Sequence, residues 1–291
     1  MMTEKILIIG KGFLGGYIFD QSSLMGLSSV TTNHDAVNFD IRDINLVEKV
    51  ISYHKPDFIV NCAALTNIDQ IEANPTEAYQ VNGDGAKNVA MVANKEKIKL
   101  IHVSTDSVFD GRKGMYSEND LPSPINEYAK SKKIGEDHVK EICERYVIVR
   151  TNFYGYNKQG KHLFNWILTS LKNARPITGF YDVFFNPLEV ENLSMMIIEL
   201  GLNQYDGVIH LASDEIMNKY QYALKIAEIL NFDKSLITKG SISDSNLLAK
   251  RPLNTTLSNA VSKKILKTPF VSLDDWLRRN CVDFCSLDST K

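Results

Sequence analysis

The sequence predicts an α/β fold in which a doubly wound parallel sheet is followed by a smaller C-terminal lobe. Short apolar runs alternate with helical patterns over residues 1–155, and this regular alternation is lost afterwards. A glycine-rich segment directly follows the first apolar run. Alternating strands and helices are typical of parallel sheets that carry helices on both faces. We therefore expect a core over residues 1–155 and a lobe over residues 156–291, with some segments of the lobe returning to the core.

The first element is a strand over Lys5–Ile9, and a helical segment runs up to Ser23 after the glycine-rich turn Gly10-Lys11-Gly12-Phe13-Leu14-Gly15-Gly16. This is Gly-x-Gly-x-x-Gly between a strand and a helix, the pattern of a Rossmann-like dinucleotide-binding unit. Gly10 permits the tight turn, Gly12 lets the backbone approach a pyrophosphate, and Gly15 allows the helix to pack closely on the strand. The helix N-terminus, with Phe13 and Leu14 at its start, then faces the phosphates of a nicotinamide cofactor.

The second strand, Ser28–Thr32, ends in Asn33-His34-Asp35, where the adenosine ribose would lie. An acidic residue at this point favours NAD, and a basic residue accepts the 2'-phosphate of NADP. Asp35 comes slightly late for the first role, and Lys11 would reach a 2'-phosphate only from the first loop, so the strand tip leaves the cofactor open. The following Asp40 and Ile41 offer a carboxylate and an apolar side chain for the edge and face of the adenine.

A short helix over Val47–Tyr53 and a third buried strand over Asp57–Asn61 lead into the small residues Cys62, Ala63 and Ala64. Small side chains at a strand tip suit a backbone that lies against a cofactor, and they equally suit a tight turn. A long helical pattern follows over Thr76–Asn94. Its polar Asn82 is either a satisfied structural side chain or a contact to the strand tips.

The central stretch, from Val103 to Glu136, carries the residues that we expect to perform acid catalysis. A buried strand over 100–103 ends in Ser104-Thr105-Asp106, at the carboxyl edge where open α/β sheets bind ligands. After a polar loop, Glu127–Glu144 reads as a helix on which Tyr128 and Lys132 share one face, because they are four residues apart. The strand tip and the helix face are expected to converge on one substrate.

Proton transfer explains why these residue types belong together. A phenol has an ordinary pKa of about 10, and an ammonium beside it favours the phenolate and brings the pKa towards neutral pH. Lys132 would supply that charge to Tyr128, while Thr105, or Ser104 beside it, would hold the substrate oxygen. A second Tyr-x-x-x-Lys pair, Tyr154 and Lys158, lies in a loop-like segment where residues four apart need not face each other, so the context favours Tyr128.

The later part of the chain continues the sheet and then becomes less regular. Another buried strand over Tyr146–Val149 is followed by irregular segments, helical patterns and one further strand, at 163–172, 191–202, 208–211, 219–230 and 273–279. The expected lobe would close over the substrate. Arg251, in Ala249-Lys250-Arg251-Pro252, is either a bidentate ligand for a diphosphate or a surface residue.

Composition excludes several classes of function. The formal net charge is -2 and charged residues make up 23% of the chain, without a long basic run, so we expect no nucleic acid partner. The four cysteines show no Cys-x-x-Cys spacing, so neither a metal site nor a redox dithiol is predicted. The N-terminus lacks a signal-peptide pattern and no apolar run is long enough to cross a bilayer, so we expect a cytoplasmic protein without a membrane partner.

The motifs together resemble the extended short-chain dehydrogenase/reductase superfamily and, within it, the dTDP-4-dehydrorhamnose reductase family. The segments VSTDSVFDG and YSENDLPSPINEYAKSKKIGE carry the resemblance, and NCAALTNID, VNGDGAKNVA, VRTNFYG and AKRPLNTTL extend it over almost the whole chain. The resemblance implies reduction of the C4 ketone of a nucleotide-linked 6-deoxyhexose with NADPH or NADH, and members often form homodimers. It implies catalysis by Thr105, Tyr128 and Lys132, and further contacts as follows. The cofactor site would hold Gly10, Gly12, Phe13, Leu14, Gly15, Asp40, Ile41, Ala63, Ala64, Asn82, Tyr128 and Lys132, and the nucleotide-sugar side Ser104, Asp106, Phe153 and Arg251.

The chain departs from the family pattern mainly on the substrate side. The first glycine loop is one residue shorter than usual, Ser107 and Leu65 stand where tyrosines are common, and Phe153 replaces a common tryptophan. Three readings therefore remain: a keto-sugar reductase, a nucleotide-sugar epimerase or dehydratase, and a non-catalytic regulatory subunit like that of methionine adenosyltransferase. A dehydratase would be expected to have Asp-Glu after the strand-tip threonine, and here Asp106 is followed by Ser107. The reductase is the reading that agrees with most motifs.

Overall fold

The computed structural model describes residues 4–32, 39–157 and 162–286. Six strands form one sheet, and six short strands pair two by two outside it. The strands are β1 (Lys5–Ile9), β2 (Ser28–Thr31), β3 (Phe58–Asn61), β4 (Lys99–Val103), β5 (Tyr146–Thr151), β6 (Phe153–Tyr154), β7 (Ile177–Phe180), β8 (Phe184–Phe185), β9 (Leu188–Glu189), β10 (Gly207–Leu211), β11 (Met217–Asn218) and β12 (Ile237–Gly240).

The helices alternate with the strands of the large sheet. They are α1 (Phe13–Leu24), α2 (Ile44–His54), α3 (Ile68–Ala73), α4 (Thr76–Ala78), α5 (Ala86–Lys95), α6 (Glu127–Ile142), α7 (Leu163–Lys172), α8 (Val190–Leu202), α9 (Lys219–Ile229), α10 (Ser262–Ile265) and α11 (Leu273–Ser286). A π-helical segment, Tyr79–Gly85, joins α4 to α5.

The large sheet confirms the predicted α/β fold. Its strand order is β10-β5-β4-β3-β1-β2, and every neighbouring pair is parallel. Alternate residues of β1 enter different apolar layers: Ile6 and Ile8 pack with α1 and α8, and Leu7 and Ile9 pack with α2, α5 and α6. The sheet is therefore doubly wound. Since β2 and β3 lie on opposite sides of β1, the strand order reverses at the tip of β1, which is where such sheets bind dinucleotides.

A second apolar cluster lies outside the sheet and is built from later segments of the chain. It includes Phe164 of α7, Ile177 of β7, Ile226 of α9 and Trp276 of α11, all of them buried. Strand β10 and helix α8 also come from beyond residue 155, but they complete the large sheet and one of its apolar layers.

The start of α6 is fixed by a side-chain cap that also ties it to a distant loop. The Asn126 side chain accepts a hydrogen bond from the backbone N–H of Ala129 (2.8 Å) and donates one to the carbonyl of Lys250 (2.9 Å). An asparagine in this position satisfies a helix N–H that has no partner within the helix. The cap therefore sets the position of Tyr128 in the first turn.

The helix expected over residues 76–94 contains the π-helical segment, which the apolar pattern does not predict. At this point the helix meets α6 at very short range: a Cβ atom on Gly135 would lie 2.4 Å from the carbonyl oxygen of Asn82. π-Helical turns commonly occur at such specialised positions. Other elements that the sequence did not predict are the short helix α3, the small strands in the segment expected to be irregular, and strand β12. Tertiary pairing stabilises such short elements, which carry little local signal. Helix α11 is longer than expected.

Candidate active site

Two adjacent cavities open at the carboxyl edge of the sheet. The larger has a volume of about 740 Å³ and the smaller about 570 Å³, and both are lined by Gly12, Cys62 and Ala64. The larger also contains the predicted residues Phe13, Leu14, Gly15, Ser104, Thr105, Asp106, Tyr128, Lys132, Phe153 and Arg251. The smaller contains the predicted residues Gly10, Asp40, Ile41 and Ala63. Asn82 is the one predicted site residue that lines neither.

The glycine loop packs directly against the loop after β3. Gly10 has a φ of 93°, and a Cβ atom there would lie 2.7 Å from the backbone nitrogen of Ala63. Its N–H donates to the hydroxyl of Thr32 (3.1 Å). A Cβ on Gly15 would lie 2.0 Å from the carbonyl oxygen of Gly10, whereas one on Gly12 would meet no atom within 4 Å. Gly10 and Gly15 are thus required by packing, and the backbone at Gly12 faces open space.

Asp40 is held by an arginine that the sequence reading did not assign to the site. The Arg42 guanidinium donates to both carboxylate oxygens of Asp40, at 2.6–3.0 Å, and this pairing lowers the pKa of Asp40. Arg42 lines the smaller cavity. Asn88 fixes this turn because its side-chain amide donates to the carbonyls of Ile41 and Arg42. Asn33, His34 and Asp35 lie outside the described residues.

Asn82 has a structural role. It is 1% exposed, and its amide accepts a hydrogen bond from the N–H of Leu65 (2.8 Å) and donates to the Leu65 carbonyl (3.0 Å) and the Ser131 hydroxyl (2.9 Å). All three bonds are internal, so Asn82 clamps the loop after β3 onto α6. Its partner Leu65 lines the smaller cavity, and a direct contact between Asn82 and a cofactor stays a prediction.

The three predicted catalytic side chains share the larger cavity. Thr105 follows β4, and Tyr128 and Lys132 lie one turn apart on α6. The Thr105 hydroxyl acts on the Tyr128 phenol, and by itself it lowers the pKa of Tyr128. The Lys132 ammonium is almost fully buried and donates to the carbonyl of Val103 (2.7 Å), two residues before Thr105. Helix and strand tip therefore converge as the sequence predicts. Lys158, of the competing pair with Tyr154, lies outside the described residues.

The expected effect of Lys132 on Tyr128 is not observed. Burial raises the pKa of Tyr128 to about 12, the charge of Asp106 adds to this, and Thr105 only partly opposes it. Burial also lowers the pKa of Lys132, to about 8. Lys132 is not among the groups that shift the pKa of Tyr128, and desolvation, the largest cause, favours the neutral phenol. In this structure the phenol is protonated at neutral pH.

The neighbours of Thr105 have internal partners. Ser104 donates its hydroxyl to Glu136 (2.6 Å), so that this bond directs it towards α6. Asp106 is 3% exposed and accepts hydrogen bonds from Thr255 (2.6 Å) and Asn152 (2.9 Å) as well as from Thr105 (3.1 Å). Asp106 thereby connects the strand tip to the segment around residue 255. Its carboxylate therefore organises one wall of the larger cavity, where the nucleotide-sugar side is expected.

Arg251 is paired within the protein. Its guanidinium donates to the carboxylate of Asp69 (2.8 Å) and to the carbonyl of Ala249 (3.0 Å), and the side chain is 18% exposed. Asp69 also accepts from the N–H of Ala249 (3.0 Å). Both Arg251 and Asp69 line the larger cavity. The arginine is therefore neither a free surface residue nor an unpaired anion ligand.

His162 and Asp69 line the larger cavity but carry no signal in the sequence. The ring of His162 stacks on Phe13, with ring centroids 4.5 Å apart, and Phe153 lies 6.0 Å from Phe13 on another side. Asp69 and Arg251 are 182 positions apart. Only the fold brings such residues together, so no local spacing announces them.

No group of three or more His, Cys, Asp or Glu residues suited to a metal ion occurs within residues 4–32, 39–157 and 162–286. In the same ranges, no helix is long and apolar enough to cross a membrane.

Comparison with known proteins identifies the family. The family model described as "RmlD substrate binding domain" matches residues 4–281. A Haloferax volcanii protein called "Probable low-salt glycan biosynthesis reductase Agl14" is 33% identical over 223 residues, covering 75% of this chain and 74% of that protein. The crystal structure of a Bacillus anthracis dTDP-4-dehydrorhamnose reductase in complex with NADP superposes with a TM-score of 0.84 and 28% identity, covering 98% of this chain and 99% of the other.

One relative is named for a different role. The beta subunit of methionine adenosyltransferase 2 from Pongo abelii is 31% identical over 275 residues, covering 88% of this chain and 80% of that protein. The matching reductases and the family model nevertheless agree with the cavity, in which a Thr, a Tyr and a Lys converge beside a glycine-rich turn. The chain belongs to the RmlD substrate binding domain family, the dTDP-4-dehydrorhamnose reductase family of sugar-nucleotide reductases within the extended short-chain dehydrogenase/reductases.

Proposed function

We propose that this protein reduces the C4 ketone of a nucleotide-linked 6-deoxy-4-keto-sugar with NADPH, as a step in polysaccharide biosynthesis. The observation that carries the proposal is the convergence of Thr105, Tyr128 and Lys132 on one cavity that adjoins a second cavity across Gly12. The first suits a sugar with its nucleotide, and the second suits the adenosine half of a dinucleotide.

The smaller cavity fits a dinucleotide on grounds of shape and backbone. The open space at Gly12, at the N-terminus of α1, leaves room for a pyrophosphate beside the helix N–H groups. Asp40, Ile41 and Arg42 would enclose the adenosine end, and Arg42 would offer a cation to a 2'-phosphate. When bound, NADPH supplies the hydride that adds to C4 of the sugar. The Bacillus anthracis relative holds NADP, which supports the choice of cofactor.

Tyr128 would deliver the proton. As the hydride adds to carbon, the C4 oxygen gains negative charge, and the Tyr128 phenol transfers its proton to that oxygen. The raised pKa keeps Tyr128 protonated beforehand, which is the form that reduction requires. The Thr105 hydroxyl, which lines the same cavity as the phenol, would orient the same oxygen. Lys132 would stabilise the phenolate left after proton transfer, because its ammonium lies one helical turn away.

Arg251 is proposed to bind the nucleotide part of the substrate. It lines the same cavity as Tyr128, and it belongs to the C-terminal part of the chain. An arginine presents paired N–H donors that match phosphate oxygens, and Asp69 holds this guanidinium in place before a ligand arrives. Asp106 and Phe153 would shape the sugar end of the cavity.

The experiment that tests the function is loss of NADPH absorbance, and separately of NADH absorbance, with the purified protein and a panel of nucleotide-linked 4-keto-6-deoxy sugars. Oxidation with one member supports the reductase and names the sugar and cofactor. NADPH binding without oxidation by any member contradicts it. A stable complex with a methionine adenosyltransferase in that case would favour the regulatory role, as its named relative suggests. A cofactor that is released only on denaturation would favour an epimerase.

A further inference from the structure

A buried ion pair lies directly beneath the proposed catalytic residues. Glu136 and Arg150 are 0% and 1% exposed, and the guanidinium binds the carboxylate through two nitrogens, Nε to Oε1 (2.9 Å) and Nη2 to Oε2 (2.7 Å). The Ser104 hydroxyl donates to the same Oε1 (2.6 Å). One carboxylate thus joins helix α6, strand β5 and the tip of strand β4.

Such a pair calls for an explanation beyond stability. Removing two charges from water costs several kcal/mol per ion, and buried pairs are often no more stabilising than apolar side chains of the same size. The Nη1 atom of Arg150 has no hydrogen-bond partner among the described residues, and the guanidinium lies over the Phe109 ring at 5.2 Å. Apolar side chains at these two positions would pack without this cost, so the charges of Glu136 and Arg150 are not explained by stability.

The position of Glu136 suggests its use. Tyr128, Lys132 and Glu136 follow one another at intervals of four residues, so they form a single row along α6. The Lys132 ammonium is enclosed in protein and donates to the Val103 carbonyl, immediately before Ser104. The negative charge of Glu136 opposes the effect of burial on the pKa of Lys132.

We propose that Glu136 is a positioning residue of the active site: held by Arg150 and Ser104, its carboxylate keeps the buried Lys132 ammonium charged. The inference rests on the proposed function only for the use that is made of that charge. The other titratable groups around Lys132 do not replace Glu136. Burial raises the pKa of Cys62 to about 12 and lowers the pKa of His102 well below its ordinary value, so both are uncharged at neutral pH.

The groups around the ion pair lead to the same conclusion. Lys140, on the next turn of α6, and Arg150 are both cations, and His210, paired with Arg150 in the sheet register, has its pKa lowered to about 3. Glu136 is therefore the one carboxylate among the groups that act on the pKa of Lys132 in the described structure. Without it, Cys62 would be the one other group that acts on this pKa, and its thiol is uncharged at neutral pH.

The test is the pKa of Lys132, measured by NMR titration of the protein with ¹³C-labelled lysine side chains and assigned with Lys132→Met. Glu136→Gln should lower that pKa by about one unit or more, because it removes the carboxylate whose charge raises it. Ser104→Ala is the matched variant, since it removes the hydrogen bond to Glu136 but retains the charge, and it should leave the pKa within a few tenths of a unit of wild type. NADPH affinity measured across the same pH range should follow the Lys132 titration.

If Glu136→Gln alone does not fold, the double variant Glu136→Gln, Arg150→Gln can be measured in its place, because it leaves no unpaired buried charge. It should also lower the Lys132 pKa. A folded variant, single or double, with an unchanged Lys132 pKa overturns the proposal, and so does a double variant that cannot fold, since the pair would then be required for the fold itself. Because this measurement needs no sugar, a wild-type protein that oxidises no NADPH would contradict the proposed function and leave this result intact.

Discussion

The guanidinium of Arg251 binds the carboxylate of Asp69 at 2.8 Å across 182 positions of sequence. The contact joins the C-terminal segment to helix α3, which begins seven residues after Asn61 at the end of β3. The N–H of Ala249 reinforces it by donating to the other Asp69 oxygen (3.0 Å). One wall of the larger cavity is thus closed by a segment that comes from the far end of the chain.

Arg251→Met should raise the KM for the nucleotide sugar by about tenfold or more, with a smaller change in kcat. Charge-assisted hydrogen bonds are each worth about 1.5–3 kcal/mol, and this one would act on the nucleotide, away from the reacting carbon. Steady-state kinetics at saturating NADPH measure both constants. Lys250→Met is the control, because Lys250 is the exposed neighbouring cation. Equal effects of the two variants would indicate a general loss of positive charge instead of a specific contact.

Tyr128→Phe should reduce kcat by about 100-fold or more while it leaves NADPH affinity nearly unchanged. The phenol proton goes to the substrate oxygen, and general acid catalysis typically contributes 10²–10⁴-fold. Loss of NADPH absorbance gives kcat, and the fluorescence of bound NADPH gives the affinity. Tyr116→Phe offers a comparison, since Tyr116 is a buried tyrosine that donates to Asp110 away from the cavity. Wild-type turnover in Tyr128→Phe would show that another group supplies the proton.

Gly12→Ala should leave the fold intact and weaken NADPH binding at least tenfold. Gly12 has a φ of -72°, which alanine adopts readily, and its new methyl would project into the open space shared by the two cavities. Gly16→Ala is the control: its methyl also meets no atom within 4 Å, but Gly16 lies in helix α1 and lines neither cavity. Thermal unfolding should show Gly16→Ala stabilised by about 0.5–1 kcal/mol. NADPH affinity that is equal in both variants would place the pyrophosphate elsewhere.

Local patterns were sufficient to predict the strands of the sheet that end at the site. The turn at Gly10–Gly15 and the row Tyr128, Lys132 lie within short segments, so their geometry follows from the period of one helix or one turn. The same holds for Thr105, which directly follows a buried strand. At these positions, residues that are close in the sequence are also close in space, so their spacing predicts their geometry.

Contacts between distant segments were not predictable in this way. Nothing in the sequence indicates that Asp69 binds Arg251. For Asn82 the sequence leaves two interpretations, a structural side chain or a contact to the strand tips, and only its bonds to Leu65 and Ser131 show the structural role. The prediction that Lys132 lowers the pKa of Tyr128 was wrong for a related reason. The sequence shows the ammonium four residues away, but desolvation depends on how completely the whole fold encloses both groups.

Glu189→Gln should increase stability more at pH 8 than at pH 5. Glu189 is 3% exposed and caps α8 by accepting from the N–H groups of Glu191 and Asn192, and burial raises its pKa from 4.5 to about 7. The unfolded chain therefore loses this proton first, so the wild type loses stability as the pH rises from about 4.5 to 7. Glutamine keeps an acceptor for the cap and does not titrate. Thermal unfolding at several pH values measures the difference, and a pH-independent difference would contradict the buried-charge argument.

Lys132→Met should abolish reduction and yet stabilise the protein at pH 7. Burial lowers the pKa of Lys132 from 10.5 to about 8, so the unfolded chain binds more protons than the folded protein between these values, and stability rises with pH across that window. Below pH 8 the full penalty is present, roughly 3 kcal/mol at 1.36 kcal/mol per unit. Methionine carries no charge and removes this penalty, but it loses the hydrogen bond to Val103, which is worth about 1 kcal/mol. The free energy of unfolding should therefore increase by about 2 kcal/mol.

The pH dependence of this gain separates the charge from the packing. At about pH 11 the lysine is largely neutral in both the folded and the unfolded wild type, and the advantage of Lys132→Met in chemical denaturation should shrink to zero or reverse, since only the lost hydrogen bond remains. A variant that is destabilised to the same extent at pH 7 and pH 11 would show that Lys132 is held without electrostatic cost. The expected result would instead show that the fold carries a strained ammonium for the sake of its chemistry, as active sites commonly do.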